Sequence, residues 1–183
     1  MQWTARTGKT LKLSMGDITR VAADAIVNAA NSALAGGGGV DGAIHRAGGP
    51  SIMAELDGIR ARIGRCPTGS AVATSAGALA ARHVFHAVGP VYRDGRHGEP
   101  ELLASCYRKC FDLAAEHGAR SITFPAISTG VYGYPLREAA AIAVAEAARQ
   151  LENGECAVEE ATFVLFDRTA YDAFIQAVAD LPR

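Results

Sequence analysis

The segment Ala25-Ile26-Val27-Asn28-Ala29, followed by Gly36-Gly37-Gly38-Gly39 and then by a helical stretch from about Asp41, decides the fold. The first segment is a short apolar run, which is typical of a buried strand. The four consecutive glycines predict a loop. The helical stretch is interrupted at Gly48-Gly49-Pro50, so two short helices are expected, with proline as the first residue of the second.

The order of strand, glycine-rich loop and helix recurs in the second half of the chain. Residues 121–124 are predicted to form a strand, residues 128–133 form a second glycine-rich loop, and Pro135 opens an alanine-rich helix that runs to about Leu151. Further strands are expected over residues 10–15, 84–88 and 161–166, and further helices after Gly98 and over about 169–178. Strands that alternate with helices predict an α/β fold with a largely parallel sheet and helices on both faces.

Two of these predicted helices carry local features that a structure can check. The helix after Gly98 has Cys106 and Cys110 on its apolar stripe, so both are expected to be core thiols. In the last helix, Thr169 and Asp172 occupy the positions of a capping box.

Length and composition limit the class of protein. A chain of 183 residues, 49% of them apolar, is expected to form one domain over residues 1–183. A formal net charge of −1 gives no reason to expect a nucleic-acid or membrane partner, so a bound phosphate would be held by backbone amides. The chain begins without a signal-like apolar stretch and has no segment of membrane-spanning character. Because the four cysteines also lack disulfide spacing, a cytoplasmic protein with reduced thiols is expected.

The two glycine-rich loops are the first candidates for a binding site. Ligands of open α/β sheets bind beyond the carboxyl ends of the strands, where helix N-termini favour anions. Glycines let a backbone approach a ligand closely and direct successive N–H groups at phosphate oxygens. Tight turns alone would explain a single loop equally well, whereas two loops at equivalent places favour a diphosphate.

Four polar residues near the first loop have both a structural and a functional interpretation. Asp41, at the start of a helix, is explained as an N-cap carboxylate, or it orients or deprotonates a water. His45 follows one helical turn later on the same face, where it either meets the same ligand or is a surface histidine. Asn28 and Asn31 are turn formers, or their amides bind ribose hydroxyls.

Asp17 and Tyr132 extend the candidate site. Asp17 follows Gly16 and either accepts a hydrogen bond from an exocyclic amine or simply shapes a turn. Tyr132 lies in the second glycine-rich loop, where it could cover a sugar.

Other common sites are disfavoured by the spacing of the residues. His83 and His86 point to opposite faces of a strand, so they form no metal pair, and no other cluster has metal-ligand spacing. Gly37, Gly39 and Gly42 formally match GxGxxG, but four consecutive glycines produce that match almost automatically. No Gly-Lys-Ser/Thr follows, which excludes a Walker-type triphosphatase.

Four motifs in order closely resemble the macro domains of the MacroD type. They are Gly16-Asp17-Ile18-Thr19, the stretch 25–31 (AIVNAAN), the stretch 36–45 (GGGGVDGAIH) and the stretch 127–135 (ISTGVYGYP). The resemblance runs from about Leu11 to the last helix. It implies a three-layer α/β/α sandwich around a mixed, largely parallel sheet, with ADP-ribose in a crevice at its top.

The resemblance also implies roles for individual residues. Asp17 resembles the acceptor of the adenine amino group, with the backbone of Ile18 assisting. Asn31 resembles the asparagine that positions the distal ribose, Asp41 the acidic residue associated with activity, and His45 a neighbour of that sugar. The aromatic residue that stacks on adenine is either Phe166 or Tyr171. The diphosphate would lie between two loops, one formed by Gly37, Gly38, Gly39 and Val40 and the other by Ser128, Thr129, Gly130, Val131 and Tyr132.

Members of this type are similar to enzymes that deacetylate O-acetyl-ADP-ribose and remove ADP-ribose from acidic side chains of proteins, without a metal or a cofactor. The implied partners are therefore ADP-ribose, O-acetyl-ADP-ribose and mono-ADP-ribosylated proteins. A module that binds ADP-ribose without cleaving anything is the alternative. Asn31 and Asp41 favour the enzyme, because a binding module needs no carboxylate next to the distal ribose. A nicotinamide-dependent oxidoreductase is disfavoured, since no acidic ribose-binding residue follows the first glycine loop.

Overall fold

One seven-stranded sheet organises the computed structural model, which describes residues 1–183. The strands are β1 (Gln2–Thr4), β2 (Thr10–Met15), β3 (Ala25–Ala29), β4 (Ala71–Ser75), β5 (His83–Ala87), β6 (Ser121–Phe124) and β7 (Glu160–Leu165). The α-helices are α1 (Gly39–Gly48), α2 (Pro50–Ile63), α3 (Glu99–His117), α4 (Leu136–Leu151) and α5 (Arg168–Ala179), and a short 3-10 turn spans Ile18–Arg20.

The sheet is mixed, and its centre is parallel. The strand order is β1-β2-β7-β6-β3-β5-β4. The five strands from β2 to β5 in that order pair in parallel, whereas β1 and β4 pair antiparallel at the two edges. The predicted α/β fold with a mixed, largely parallel sheet is therefore confirmed.

The central strand β3 explains why its sequence is an uninterrupted apolar run. It lies between β5 and β6 and is covered on both faces, so every residue from Ala25 to Asn28 is buried. Ile26 packs with residues of α1 and α2 on one face. Ala25 and Val27 belong to the core formed with α3, α4 and α5 on the other face. Asn28 shares the face of Ile26, because side chains alternate along a strand.

The two helix N-caps that the sequence suggested, at Asp41 and at Thr169, are both wrong. Helix α1 begins at Gly39 and its N-cap is Gly38, so Asp41 is the third residue of the helix and not the N-cap. Helix α5 is capped by Asp167, whose carboxylate accepts a hydrogen bond of 2.8 Å from the N–H of Ala170. Asp172 instead accepts a hydrogen bond from Arg168, one turn earlier, so no capping box forms at Thr169.

Several other features agree with the sequence predictions. The α1–α2 break occurs at Gly49, with φ of 85°, and Pro50 is the first residue of α2. Cys106 and Cys110 are buried core thiols.

The short edge strands β1 and β4 carried no sequence signal, since three residues or a run of small residues show no clear alternation. No helix combines the length and the apolar character that crossing a membrane requires.

Candidate functional site

The two glycine-rich loops emerge side by side. The first follows β3 and the second follows β6, and these strands are parallel neighbours in the sheet. Their carboxyl ends therefore point to the same edge, where a crevice forms in open α/β sheets. The loops thus occupy the equivalent places that the sequence predicted.

Asn31 shapes the first loop from within. Its amide nitrogen donates a hydrogen bond of 2.9 Å to the carbonyl of Gly36, and its amide oxygen accepts one of 3.2 Å from the N–H of Ala35. Gly37 lies next to both Asn31 and Asp41, since a Cβ atom on Gly37 would stand 3.6 Å from Asp41 Oδ2 and 3.9 Å from Asn31 Nδ2. The loop therefore brings its own backbone against the candidate catalytic carboxylate.

The start of α1 supplies backbone donors beside this carboxylate. Gly37, Gly38 and Gly39 are exposed, and Val40 is half-buried. The first N–H groups of a helix have no intrahelical acceptor and carry the positive end of the helix dipole. Gly39 has φ of 58°, a conformation that glycine adopts without strain. This geometry suits an anion placed against the loop.

Asp41 and His45 lie together on one face of α1, as their spacing predicted. Asp41 is only 6% exposed, although it carries a carboxylate. Its Oδ1 lies 3.3 Å from His45 Nε2, but the two are not aligned for a hydrogen bond, and this buried ring nitrogen has no other partner. His45 Nε2 therefore keeps an unused hydrogen-bonding capacity next to the carboxylate.

Asn28 reaches Asp41 from the sheet below and is fully buried. Its amide nitrogen donates a hydrogen bond of 2.8 Å to Asp41 Oδ1, and the same nitrogen lies 3.1 Å from His86 Nδ1. His86 is the cross-strand neighbour of Asn28 in the β3–β5 register. The structure thus places Asn28 beneath the carboxylate, with its side chain away from solvent.

Behind Asn28 the structure reveals two residues that sequence reasoning did not assign to the site. His86 is fully buried, and its Nε2 lies 2.9 Å from the hydroxyl of Thr74 on β4. Burial, with a smaller contribution from the neighbouring His45, lowers the pKa of His86 to about 3. A histidine and an asparagine inside apolar strands were the available signal, but only the strand register shows that they touch.

The second loop is held in a strained shape at Ser128. This residue has φ of 67°, which is uncommon outside glycine, and its buried hydroxyl has no hydrogen-bond partner. Gly89 lies directly behind it, since a Cβ atom on Gly89 would come within 2.3 Å of Ser128 Oγ. The carbonyl of Ser128 accepts a hydrogen bond of 2.9 Å from the N–H of Tyr134, which closes the loop. Strained residues of this kind concentrate at ligand-binding sites.

The tip of the second loop is open to solvent. Val131 is fully exposed and Gly130 is exposed, whereas Tyr132 is half-buried. The carbonyl of Tyr132 accepts a hydrogen bond of 2.8 Å from the N–H of Tyr92. The hydroxyl of Thr129 donates to the carbonyl of Ala126 at 2.8 Å and so anchors the base of the loop.

Asp17 and Phe166 lie at the same edge of the sheet, further along. They follow β2 and β7, and the register of these parallel strands pairs Met15 with Leu165. Asp17 caps the 3-10 turn that begins at Ile18: its Oδ1 accepts hydrogen bonds from the hydroxyl and the N–H of Thr19, which lower the pKa of Asp17.

Phe166 is the more exposed of the two candidate aromatic residues. Phe166 is 85% exposed, an unusual position for a phenylalanine. Tyr171, in contrast, packs against the core of the sheet and lies under the guanidinium of Arg168, 5.9 Å from the ring centre. An exposed ring at the same edge of the sheet as Asp17 is a suitable surface for a flat heterocycle, and Asp17 Oδ2 lies 3.8 Å from Arg20 Nε.

An open cavity of about 380 Å³ adjoins the first loop on the side of α1 and α2. Of the predicted site residues, Gly37 and His45 line it. Its lining residues are Gly36, Gly37, His45, Arg46, Gly49, Pro50 and Met53.

One cluster with metal-ligand geometry, which the spacing did not indicate, forms in the loop before α3. Ligand atoms of Asp94, His97 and Glu99 lie within 4.8 Å of one another. The Glu99 carboxylate already accepts backbone N–H groups of residues 93, 94, 95 and 97. Burial would raise the pKa of Glu99, but these hydrogen bonds outweigh it and hold the pKa at about 2. Glu99 therefore serves as the clamp of its loop.

Comparison with known proteins agrees with this geometry. The family model described as Macro domain matches residues 27–143. A macro domain-containing protein of Streptomyces nogalater is 57% identical over 173 residues, 93% of this chain and 93% of that protein. O-acetyl-ADP-ribose deacetylase 2 of Pantoea vagans is 50% identical over 161 residues, 88% of this chain and 94% of that protein.

The solved structures give the same result for the fold. A mutant of the Oceanobacillus iheyensis macrodomain with ADPR superimposes with a TM-score of 0.92 at 40% identity, covering 98% of this chain and 96% of that one. The family model covers well over half of the chain and includes both glycine-rich loops and Asp41. This chain therefore belongs to the macro domain family.

Proposed function

We propose that this protein binds ADP-ribose along the carboxyl edge of its sheet and hydrolyses an ester on the distal ribose. The observation that carries the proposal is the closeness of loop and carboxylate, since a Cβ atom added to Gly37 would stand 3.6 Å from Asp41 Oδ2. A nearly buried carboxylate beside a loop that suits an anion costs free energy, which favours a role for it in the reaction. Relatives named O-acetyl-ADP-ribose deacetylase support the same reaction.

The ligand would extend from β2 towards β3. Asp17 would accept the adenine amino group, the backbone of Ile18 would assist, and Phe166 would stack on the ring. The diphosphate would lie between the start of α1 and the loop of residues 128–132, which offer backbone N–H groups from both sides. This order follows the sequence of strands β2, β7, β6 and β3 along the sheet edge.

The distal ribose would then reach Asn31, Asp41 and His45. Asn31 would hold the ribose hydroxyls, and Tyr132 would cover the sugar from the opposite loop. Because Asp41 Oδ1 is occupied by Asn28, the free Oδ2 is the atom available for a water molecule. Asn28 therefore acts through Asp41 and does not need to touch the ligand.

The reaction is the addition of water to an ester. The water oxygen bonds to the carbonyl carbon of the acyl group while its proton passes to Asp41 or to a ligand phosphate. The carbon–oxygen bond to the ribose then breaks, and the ribose oxygen takes up a proton. The products are ADP-ribose and a carboxylic acid, which is acetic acid or an acidic side chain of a protein.

Product release from O-acetyl-ADP-ribose and from a protein mono-ADP-ribosylated on glutamate tests the proposal. Asp41→Asn is the matched variant, since it keeps an oxygen for Asn28 and removes the charge. We expect wild type to turn over at least one substrate, and Asp41→Asn to bind ADP-ribose in calorimetry while kcat falls by about 100-fold or more. Tight ADP-ribose binding without product from either substrate would reduce the protein to a binding module.

A further inference from the structure

A chain of hydrogen bonds runs from β4 to the candidate catalytic carboxylate. The hydroxyl of Thr74 donates to the carbonyl of Ser75 at 2.9 Å. This hydroxyl has then used its only hydrogen, so towards His86 it can only accept. His86 Nε2, 2.9 Å away, must therefore carry the ring proton and donate it to Thr74.

The tautomer of His86 in turn determines the orientation of the Asn28 amide. A neutral imidazole with its proton on Nε2 presents Nδ1 as an acceptor. Only the amino group of Asn28 can meet this acceptor, at 3.1 Å, and its second hydrogen then points to Asp41 Oδ1 at 2.8 Å. The reversed amide would place its oxygen against two acceptors.

Burial keeps this arrangement in one state. Asn28 and His86 are fully buried and Thr74 is nearly so, hence water cannot replace a missing partner. The lowered pKa of His86, about 3, keeps the ring neutral at ordinary pH, and therefore keeps Nδ1 an acceptor. The amide oxygen of Asn28 is buried without a hydrogen-bond partner. The orientation of the amide is therefore set by the two contacts of its amino group, with His86 and Asp41.

We propose that His86 and Thr74 are positioning residues for the reaction, because together they orient the Asn28 amide, which holds Asp41 Oδ1 and leaves Oδ2 free for the attacking water. The inference rests on the proposed hydrolysis at Asp41. Neither residue lies at the glycine loops. The ring of His86 also lies beside that of His45, 6.2 Å between ring centres, but the hydrogen-bonded route from Thr74 and His86 to Asp41 passes through Asn28.

Thr74→Val tests the chain with little change of shape, and Thr74→Ser is the matched control that keeps the hydroxyl. Without the hydroxyl, His86 loses the acceptor for its Nε2 proton and can move that proton to Nδ1, which turns the Asn28 amide. We expect kcat of Thr74→Val to fall about tenfold, because the turned amide no longer donates its hydrogen bond to the charged Asp41 carboxylate. KM and the Kd for ADP-ribose should change less than about twofold, and Thr74→Ser should keep wild-type kcat.

A double substitution separates positioning from a general loss of packing. In an Asn28→Ala background the route to Asp41 is already cut, so adding Thr74→Val should leave kcat unchanged. A further tenfold loss would show that Thr74 acts on the rate by another route, which would overturn the proposal. The same holds if Thr74→Val alone turns over like wild type.

Nitrogen NMR of His86 and of the Asn28 side-chain amide gives a readout that needs no activity. We expect wild type and Thr74→Ser to carry the ring proton on Nε2, and Thr74→Val to shift both the ring nitrogens and the Asn28 amide protons. A ring proton on Nδ1 in wild type would overturn the proposal. If wild type hydrolyses neither substrate, the hydrolase function fails, and these signals still decide whether Thr74 and His86 orient Asn28.

Discussion

The side-chain amide of Asn28, which is fully buried, donates a hydrogen bond of 2.8 Å to Asp41. The region around the first glycine-rich loop therefore contains two kinds of residue. The loop glycines are exposed to solvent, whereas Asn28 holds Asp41 from inside the sheet.

Asn28→Ala should therefore affect turnover and leave binding intact. Asp41 would lose its fixed donor, so we expect kcat to fall at least about tenfold. Because Asn28 has no solvent-accessible surface, the Kd for ADP-ribose from calorimetry should stay within about twofold of wild type. Asn31→Ala is the contrasting variant, since Asn31 shapes the exposed loop and its loss should weaken binding as well. Equal losses of affinity in the two variants would contradict this division.

Gly89→Ala should displace the second loop. A Cβ atom at residue 89 would come within 2.3 Å of Ser128 Oγ and 2.5 Å of Ile127 Cγ2, so the loop must shift. We expect weaker ADP-ribose binding, by about tenfold or more, in a protein that remains folded. Gly58→Ala is the control: its added Cβ meets no atom within 4 Å, and alanine should stabilise helix α2 by about 0.5–1 kcal/mol. Unchanged affinity in Gly89→Ala would show that the loop position does not matter for binding.

Lys9→Met should destabilise the fold without affecting the site. The nearly buried ammonium donates hydrogen bonds of 3.0, 3.1 and 2.6 Å to the carbonyls of Asn153, Gly154 and Cys156. Methionine fills similar space but removes the donor of all three carbonyls, and only that of Asn153 keeps another, the N–H of Cys156 at 3.1 Å. We therefore expect a loss of roughly 2–4 kcal/mol in the free energy of unfolding. Urea denaturation measures it. Lys109→Met, at an exposed lysine, should stay within about 0.5 kcal/mol of wild type.

The Glu99 clamp should make part of the stability depend on pH. The pKa of Glu99 is about 2 in the folded protein, against an ordinary value of 4.5. A carboxyl group whose pKa is lower in the folded than in the unfolded protein stabilises the fold at pH values above the unfolded-state pKa. This contribution disappears as the pH falls through the folded-state pKa. We therefore expect Glu99→Gln to be less stable than wild type at pH 7, with the gap narrowing between about pH 4.5 and pH 2. The exposed Glu101→Gln should show no such convergence, and a gap that is constant with pH would argue against the clamp.

Chelation should leave hydrolysis unchanged. No second carboxylate or cysteine lies near enough to Asp41 and His45 to complete a metal site. The one cluster with metal-ligand geometry consists of Asp94, His97 and Glu99. After dialysis against EDTA, we expect kcat on O-acetyl-ADP-ribose to match that of untreated protein. Loss of activity that Mg²⁺ or Zn²⁺ restores would contradict the proposed mechanism.

Periodicity and glycine punctuation predicted the layers of the fold, because long helices and the buried central strands follow strong patterns. The edge strands β1 and β4 were not predicted. β1 has only three residues and β4 is a run of small residues, so neither shows a clear alternation of apolar and polar side chains. Asp41 was assigned to the right helix but the wrong position, because a glycine N-cap leaves no side-chain signal.

The candidate site could be located from sequence only where a motif lies within one stretch of chain. Asn31, Asp41 and His45 belong to such a stretch, and their proximity follows from the loop and the helical turn. The contact of Asn28 with His86 depends instead on the register of two strands 58 residues apart, which no local pattern encodes. Thr74 is still harder to predict, since it lies on an edge strand that the sequence did not reveal.

Asn31 uses both ends of its amide within its own loop, on Gly36 and Ala35. The loop is thus preorganised before a ligand arrives, and little conformational entropy remains to be lost on binding. A sugar hydroxyl that approaches Asn31 meets an amide with one N–H and one lone pair already in use, so its direction of approach is restricted to the groups that remain. Under the proposed function, the side chain that holds the loop in shape would also select the stereochemistry of the sugar.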